Sequence, residues 1–574
     1  MAACLAALLA GCGAAGGERA RPTPQGVATG GSLRIGVSAP RSLDPATAQQ
    51  PDELLIAGAL CDTLVAQDPI SGELVGGLAE SWVVSDGGAH FVIKLRGGAR
   101  FHDGSAVTVR DVVDSLNRLA DPDFASPLAP LLAEVHGYAQ YRGDVETDNR
   151  LARERLAGIK TASSNAISIS LSAPNADFLA VLAHPATAPV AVAAAAADPD
   201  AFRRQPVCAG PYRVAQPWFG GEAAIVTRRF ADYHGRNLAF TGGGAGYVDE
   251  LLFAPVGEQA DPRSRPFVTR PGQGPPPLPT LDGLDVVQVP SWRWRSVAGR
   301  GGREVVTALG PGIDYLGLPI LGGSTDQTVE RDVLAARQAS LRRALSLAID
   351  RTHIAEVVYG GARAPAVGLV PPSVDPGVGA CPAAPLRADL DAANAALAAS
   401  QVDLARESID LVYNDEFTNG ALVAAVADQW TRAFGVDVQL KAVEFDDLVT
   451  ELGSAASSID AFRMSWSVTH PSVDAWVHGL FHSGQSGRGN LAGFSNQDLD
   501  ELLTDDARPE TSDDDRRLLY SDALRLLCDQ LPLIPVVQQQ FGFAVATARV
   551  GSAVGTYAGG HLGQPLLREL HVQS

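Results

Sequence analysis

The stretch Leu95-Arg96-Gly97-Gly98-Ala99-Arg100-Phe101-His102-Asp103-Gly104-Ser105 runs straight into Ala106-Val107-Thr108-Val109-Arg110-Asp111-Val112-Val113-Asp114-Ser115-Leu116-Asn117-Arg118, and it carries three structural signals in succession. The residues leading into it, His90-Phe91-Val92-Ile93-Lys94-Leu95, alternate like one arm of a hairpin. The glycines and Asp103 then make a turn. Thr108 is placed to cap a helix over Val109 to Leu119, with Asp111 in its first turn, where a negative charge suits the exposed backbone N–H groups.

Toward the N-terminus, Leu33-Arg34-Ile35-Gly36-Val37 alternates like a strand and stops at the turn Ser42-Leu43-Asp44-Pro45, after which a helix extends to about Leu64. Toward the C-terminus, strands and helices alternate. Ile409–Tyr413, Val436–Leu440 and the segment around Phe462 to Trp466 read as strands; Ala421–Phe434 and Asp446–Leu452 read as helices. That rhythm predicts a largely parallel sheet covered by helices on both faces. Gly257 to Gly283, with Pro275-Pro276-Pro277 inside it, reads as a solvated, mobile surface insertion.

Leu78-Ala79-Glu80-Ser81-Trp82 and the whole of Leu95 to Arg118 stand in the order found in the family 5 extracellular solute-binding proteins, the dipeptide and oligopeptide receptors of ABC importers. The resemblance continues through Ala125-Ser126-Pro127, Gly210-Pro211-Tyr212, Asp232-Tyr233-His234-Gly235, Arg343 to Arg351 and Leu531-Pro532-Leu533-Ile534-Pro535. It implies an α/β fold: the two-lobed periplasmic-binding-protein fold of type II, with an extra subdomain in lobe one and two hinge strands. The corresponding boundaries are lobe one at 31–305 with the subdomain at about 63–200, lobe two at 306–528, and a return to lobe one at 529–574.

Composition fits that reading. A chain of 574 residues has room for three or four domain-sized units, and 46% hydrophobic against 19% charged residues describes globular cores, not a disordered chain. The net charge of -20 argues against a nucleic-acid partner or adhesion to anionic lipid through a basic surface. Only Lys94, Lys160 and Lys441 among the 45 basic residues are lysine, in an Ala- and Gly-rich background that suggests a GC-rich bacterial genome.

Residues 2–10 are almost wholly apolar and end in Leu9-Ala10-Gly11-Cys12, which resembles a bacterial lipoprotein cleavage site. The basic stretch that opens a signal peptide is missing, so the expected translation start lies upstream of Met1. Lipid on Cys12 would leave residues 13–30 as a flexible tether with a reach of roughly 20–25 Å, holding the protein at the extracytoplasmic face of the membrane. Cys61, Cys208, Cys381 and Cys528 then remain in an oxidising compartment and lack the spacing of a metal or redox site, which favours structural disulfides. Three pairings are open. With the lobe boundaries above, a bridge between lobes would oppose hinge closure, so Cys61 with Cys208 and Cys381 with Cys528 are expected.

No complete G-x-x-x-x-G-K, H-E-x-x-H or G-x-S-x-G motif occurs, and neither an enzyme, a cofactor nor a metal is expected. The nearest metal pattern is His478 and His482 at i, i+4, close to His470. The informative strand is Phe462-Arg463-Met464-Ser465-Trp466-Ser467, whose alternation buries one face and frees the other. In peptide-binding relatives this segment carries an Asp that pairs with the ligand's α-amino group, and the matching residue here is Thr469. A hydroxyl replaces a charge-assisted partner, unless Asp474 or Glu444 takes the role. The resemblance further places Gln49, Gln50 and Leu128 at the ligand from the other lobe, and Arg463 at a ligand carboxylate or in a structural salt bridge. Trp466, Leu128 and Tyr315 either wall the expected pocket or pack in the core, the default for each, and Ser467 completes the site. The resulting expectation is a monomeric, lipid-anchored receptor for a small peptide-like solute, partnered by an ABC permease. The alternative is an envelope lipoprotein of the same fold that regulates or scaffolds cell-wall or lipid assembly.

Overall fold

The computed structural model describes residues 29–68, 73–145, 154–175, 177–237, 246–256, 281–289, 294–319, 331–374, 381, 386–414, 419–454, 459–468, 472–486, 489–506, 513–552 and 567–573. Cys12, the tether to residue 28, most of the expected insertion (257–280), and Thr469 with His470 lie outside these residues. Among the described residues no helix is long and apolar enough to cross a membrane.

In chain order, the elements that matter for the site are β1 (Ser32–Val37), α1 (Pro51–Leu60), β2 (Ala79–Ser85), β3 (His90–Leu95), α2 (Val109–Ala120), β4 (Ile159–Ser163), β5 (Ala166–Ser170), β6 (Tyr212–Val214), β7 (Ile225–Arg229), β8 (Glu250–Pro255), β9 (Val286–Gln288) and β10 (Glu304–Gly317). They continue with β11 (Arg363–Pro365), β12 (Ser408–Asn414), α3 (Asn419–Phe434), β13 (Asp437–Val443), β14 (Ala461–Ser467), α4 (Val473–Phe481) and β15 (Leu533–Val545). One sheet runs through the molecule in the order β13-β12-β14-β10-β15-β9-β1-β8-β7-β6, with β11 also paired to β15. A separate sheet of β2, β3, β5 and β4 belongs to the accessory subdomain.

The sheet is mixed, which corrects the largely parallel expectation. β12 pairs in parallel with β13 and β14, as the strand–helix rhythm predicts, and β1 pairs in parallel with β8 and β9. The long strands β10 and β15 pair antiparallel to each other and to their neighbours β14 and β9. The rhythm could not reveal this, because both long strands reach their partners across long stretches of chain.

Three large cores follow from the pattern. One gathers Ile313 and Leu316 of β10, Ile409 and Leu411 of β12, Trp430 of α3, Trp476 of α4 and Ile534 and Val537 of β15. A second joins Leu33 and Ile35 of β1, Leu60 of α1 and Leu251 and Phe253 of β8 to Phe543 and Val545 at the other end of β15. The third is the accessory unit, where Val112, Leu116 and Leu119 of α2 cover Phe91, Ile93, Ile167 and Ile169 of its sheet. Burying each such side chain stabilises by about 1.5–3 kcal/mol. β15 therefore contributes its first half to one core and its second half to another, and β10 runs beside it throughout.

The stretch from Leu95 to Arg118 folds as its residues demand. Thr108 and Asp111 cap α2 reciprocally: Asp111 N donates to Thr108 Oγ1 at 3.3 Å and Thr108 N to Asp111 Oδ2 at 2.9 Å. At its far end, Arg118 forms an ion pair with buried Asp44, so the Ser-Leu-Asp-Pro turn and the helix after Gly104 hold each other. Both disulfides are present, Cys61–Cys208 with Cα atoms 4.9 Å apart and Cys381–Cys528 at 5.6 Å. Each stays within one side of the molecule, as the hinge argument expects.

Candidate functional site

The crossing of β10 and β15 is not a continuous ladder. Leu309 faces Gln540 and Ile313 faces Gln538, so the register shifts at Gly310-Pro311-Gly312. The bulge is held from the β12–β14 side, where Ser373 Oγ donates to the Gly310 carbonyl at 2.6 Å and Val468 N to the Pro311 carbonyl at 3.3 Å.

Beyond the bulge, pairing with β14 sets which side chains share a face. Gly312 lies opposite Ser467, Asp314 opposite Ser465 and Leu316 opposite Arg463, while Ile313 lies opposite Trp466 and Tyr315 opposite Met464. The first set makes a polar floor, with Ser465 and Ser467 open to solvent. At its centre Asp314, 5% exposed, forms an ion pair with buried Arg463 through one oxygen and lies 3.6 Å from Arg363 Nε through the other. Arg463 also reaches Asn414 Oδ1 at 3.4 Å, and its Nε is buried with no hydrogen-bond partner. Among the described residues, two guanidinium groups share this one carboxylate.

The second set faces the helices, and Tyr315 is corrected accordingly. It is 2% exposed, its ring stands edge-on to Phe462 with centroids 6.2 Å apart, and burial pushes its phenol up, so it packs in the core and does not line a pocket. Trp466 is half-buried against α4. A Cβ at Gly479 would sit 2.8 Å from its ring, and its indole N–H is shielded without an acceptor.

On the other side, Gln49 and Gln50 lead into α1, and their backbone N–H groups both donate to Glu53 Oε2, at 2.9 and 3.0 Å. Burial alone would raise the Glu53 carboxyl, but hydrogen bonds from Arg41 and these N–H groups hold it below the usual range. Gln49 is exposed and Leu128 packs on the accessory core. Among the described residues, no hydrogen bond joins Gln49, Gln50 or Leu128 to Arg463, Trp466 or Ser467.

The two sides meet at the start of α4. Ser472 Oγ donates to Asp177 Oδ2 of the accessory unit at 2.8 Å, and Asp474 N donates to the same oxygen at 3.3 Å. Behind Asp177, Asn175 bridges to Glu134 at 2.8 Å; burial raises the Glu134 carboxyl, and the charge of Asp474 adds to that. His478 contacts Asp474 through Nδ1 at 2.8 Å and stacks on His482 at 4.6 Å. Among the described residues no three His, Cys, Asp or Glu side chains are grouped to hold a metal. Glu444 is exposed ahead of the helix Phe445–Leu452.

Sequence reading missed Asp314, Arg363, Asp177 and Ser472. For Asp314 the signal existed: a lone acid inside Gly312-Ile313-Asp314-Tyr315-Leu316 needs a buried countercharge.

Separate cores joined by two crossing strands define the two-lobed architecture of a periplasmic-type binding protein. The comparisons agree. The family model for the bacterial extracellular solute-binding proteins, family 5 Middle, matches residues 73–488, and the chain belongs to that family. Among curated relatives, the probable deoxycholate-binding periplasmic protein YgiS of Escherichia coli K12 is 25% identical over 512 residues, covering 88% of this chain and 86% of the relative. The periplasmic oligopeptide-binding protein OppA of Salmonella typhimurium LT2 is 24% identical over 546 residues, covering 93% and 90%. Among solved structures, the unliganded open form of the periplasmic murein tripeptide-binding protein MppA superposes with a TM-score of 0.77 at 22% identity, covering 95% of this chain and 98% of that one.

Proposed function

We propose that this protein captures a small peptide or peptide-like solute between its lobes and delivers it to an ABC import permease, held at the outer face of the cell membrane by lipid on Cys12. In this reading lobe one takes 31–305 and 529–574, with the accessory subdomain at about 63–200, and lobe two takes 306–528 and also packs the first half of β15 into its core. The observation that carries the reading is the polar floor at the strand crossing, inside a family whose relatives include oligopeptide and murein peptide binders.

The floor also narrows the ligand. Arg463 is committed to Asp314, so the positive charge that reaches solvent is that of Arg363, whose side chain is 31% exposed. The exposed Arg363 supports a ligand carboxylate there, and Thr469 in the position of the amino-anchoring acid favours a ligand whose amino terminus need not be free. Gln49, Gln50 and Leu128 from lobe one, with Trp466 and Ser467 from lobe two, supply neutral contacts.

Calorimetric titration of the mature protein with a tripeptide in four forms tests this: free, N-acetylated, C-amidated and doubly blocked. The reading expects acetylation to change affinity little and amidation to weaken binding about tenfold, roughly 1.4 kcal/mol. Heat evolved with deoxycholate and none with any peptide form would replace the peptide reading with that of an amphipathic acid.

A further inference from the structure

We infer that Asp177 is a latch between the lobes, a carboxylate on the accessory unit that clasps the first turn of α4 and holds the ligand-free protein partly closed. It deepens the capture reading by assigning how that cleft is regulated, and it rests on that reading only for its purpose.

The argument starts from what α4 needs. Its N-cap is Ser472, whose Oγ accepts from Ala475 N at 3.0 Å, so the helix start is satisfied by its own residue. The same hydroxyl still has a proton to donate, and it donates it to Asp177. Asp474 N, a further first-turn donor, points at the same oxygen. A carboxylate aimed along a helix start also meets the positive end of the helix dipole. Local capping therefore does not require Asp177, and the contact's effect is to join two separately cored units.

Asp177 is also presented rigidly. Its backbone N–H donates to Asn175 Oδ1 at 2.9 Å, and Asn175 Nδ2 donates to Glu134 Oε2 at 2.8 Å. A continuous chain runs Glu134, Asn175, Asp177, Ser472, Ala475, from the accessory unit into α4. Asp474 and His478 on α4 face it, with Glu134 beside them. The carboxylates of Glu134, Asp177 and Asp474 repel one another across this seam, so the clasp depends on the donated hydrogen bonds and the helix start, not on net charge. Such a contact is worn by opening and renewed by closing, which suits a latch better than a permanent joint.

The test needs no ligand. Fluorophores introduced through noncanonical residues at Val83 and Phe445, exposed on the accessory unit and on lobe two, report the distance between them in single molecules. Losing hydrogen bonds to a charged acceptor should cut the ratio of closed to open molecules about tenfold in Asp177→Ala. Ser472→Gly should go part of the way, because Asp474 N still donates to Asp177, and the double variant should go no further than Asp177→Ala, which already removes both bonds. Melting of each variant checks that the fold survives, and Asp177→Asn should fall between. Unchanged distance distributions in Asp177→Ala, or full additivity in the double variant, would overturn the latch. Either outcome leaves the peptide titration intact, and failure of that titration leaves this measurement readable.

Discussion

Replacing Asp314 should damage the protein more than replacing the arginine it holds. Asp314 and Arg463 have side chains 6% and 8% exposed, so Asp314→Ala leaves a guanidinium buried with, among the described residues, only Asn414 at 3.4 Å to receive it. Breaking a buried pair from one side costs about 3–5 kcal/mol. Arg363, 31% exposed, loses a partner as well, but solvent screens that pair to no more than about 1 kcal/mol. Arg463→Met is milder, because Asp314 keeps Arg363 as its countercharge. The double change Asp314→Leu with Arg463→Met should recover most of the loss, since an apolar pair of similar volume is often as stable as a buried ion pair. Calorimetric melting is the assay: at about 2–4 °C per kcal/mol for a unit of this size, Asp314→Ala should lower the lobe-two transition by about 6–20 °C. If Asp314→Ala and Arg463→Met cost the same, or Asp314→Ala costs under about 1 kcal/mol, the two-on-one charge arrangement is refuted.

Gly210→Ala should prevent folding of lobe one, because the new Cβ would stand 2.4 Å from the Leu60 carbonyl oxygen and 2.7 Å from Cys61 N, backbone atoms that cannot swing aside; soluble yield and circular dichroism would show it. Trp466→Phe should melt within about 1 kcal/mol of the parent because the indole N–H has no acceptor, whereas Trp476→Phe forfeits a 2.9 Å bond to the Leu369 carbonyl and should cost about 1–3 kcal/mol more. Reducing either disulfide opens a loop with a sequence separation of 147, so chain entropy sets a loss of about 5 kcal/mol, measurable by urea unfolding with and without reductant. Burial lowers His102 to about 4 and raises Glu569 to about 8. The unfolded chain protonates its histidine near 6.5, so His102 favours folding fully above that pH and loses up to about 3 kcal/mol as pH falls to 4; Glu569 stays protonated when folded and penalises folding as pH rises from about 4.5 to 8. Glu569→Gln should therefore gain on the parent in melting temperature between pH 6 and 8.5, and a constant difference across that range would contradict the assignment.

Much of the fold was legible because it rests on local signals. Thr108 and Asp111 announce a reciprocal cap, and the strands and helices from Ile409 onward fall within a few residues of their expected ends. The direction of β10 and β15 was not legible, since antiparallel pairing of segments more than 200 residues apart leaves no local trace. At the site, alternation along Phe462 to Ser467 correctly separated two faces. It did not tell that Tyr315 joins the buried one, because that depends on register with β14. Asp314 and Asp177 escaped notice for a related reason: each acts on a residue far away in the chain, one as a countercharge and one as a clasp.

The interruption at Gly310-Pro311-Gly312 bears on how such a receptor is retuned. At the bend β10 skips its partners in β15 between Leu309 and Ile313, while β11 stays paired to Gln538 and Gln539, so the balance between resting and engaged forms is set by a few atoms around Gln539, whose side chain a Cβ at Gly310 would meet at 2.8 Å. Apparent affinity scales with the fraction of molecules already competent to bind, so a substitution at this bend moves every ligand's dissociation constant by one common factor. Sensitivity and selectivity are then separate dials, and a biosensor built on this chain could be set to a working concentration without redesigning what it recognises.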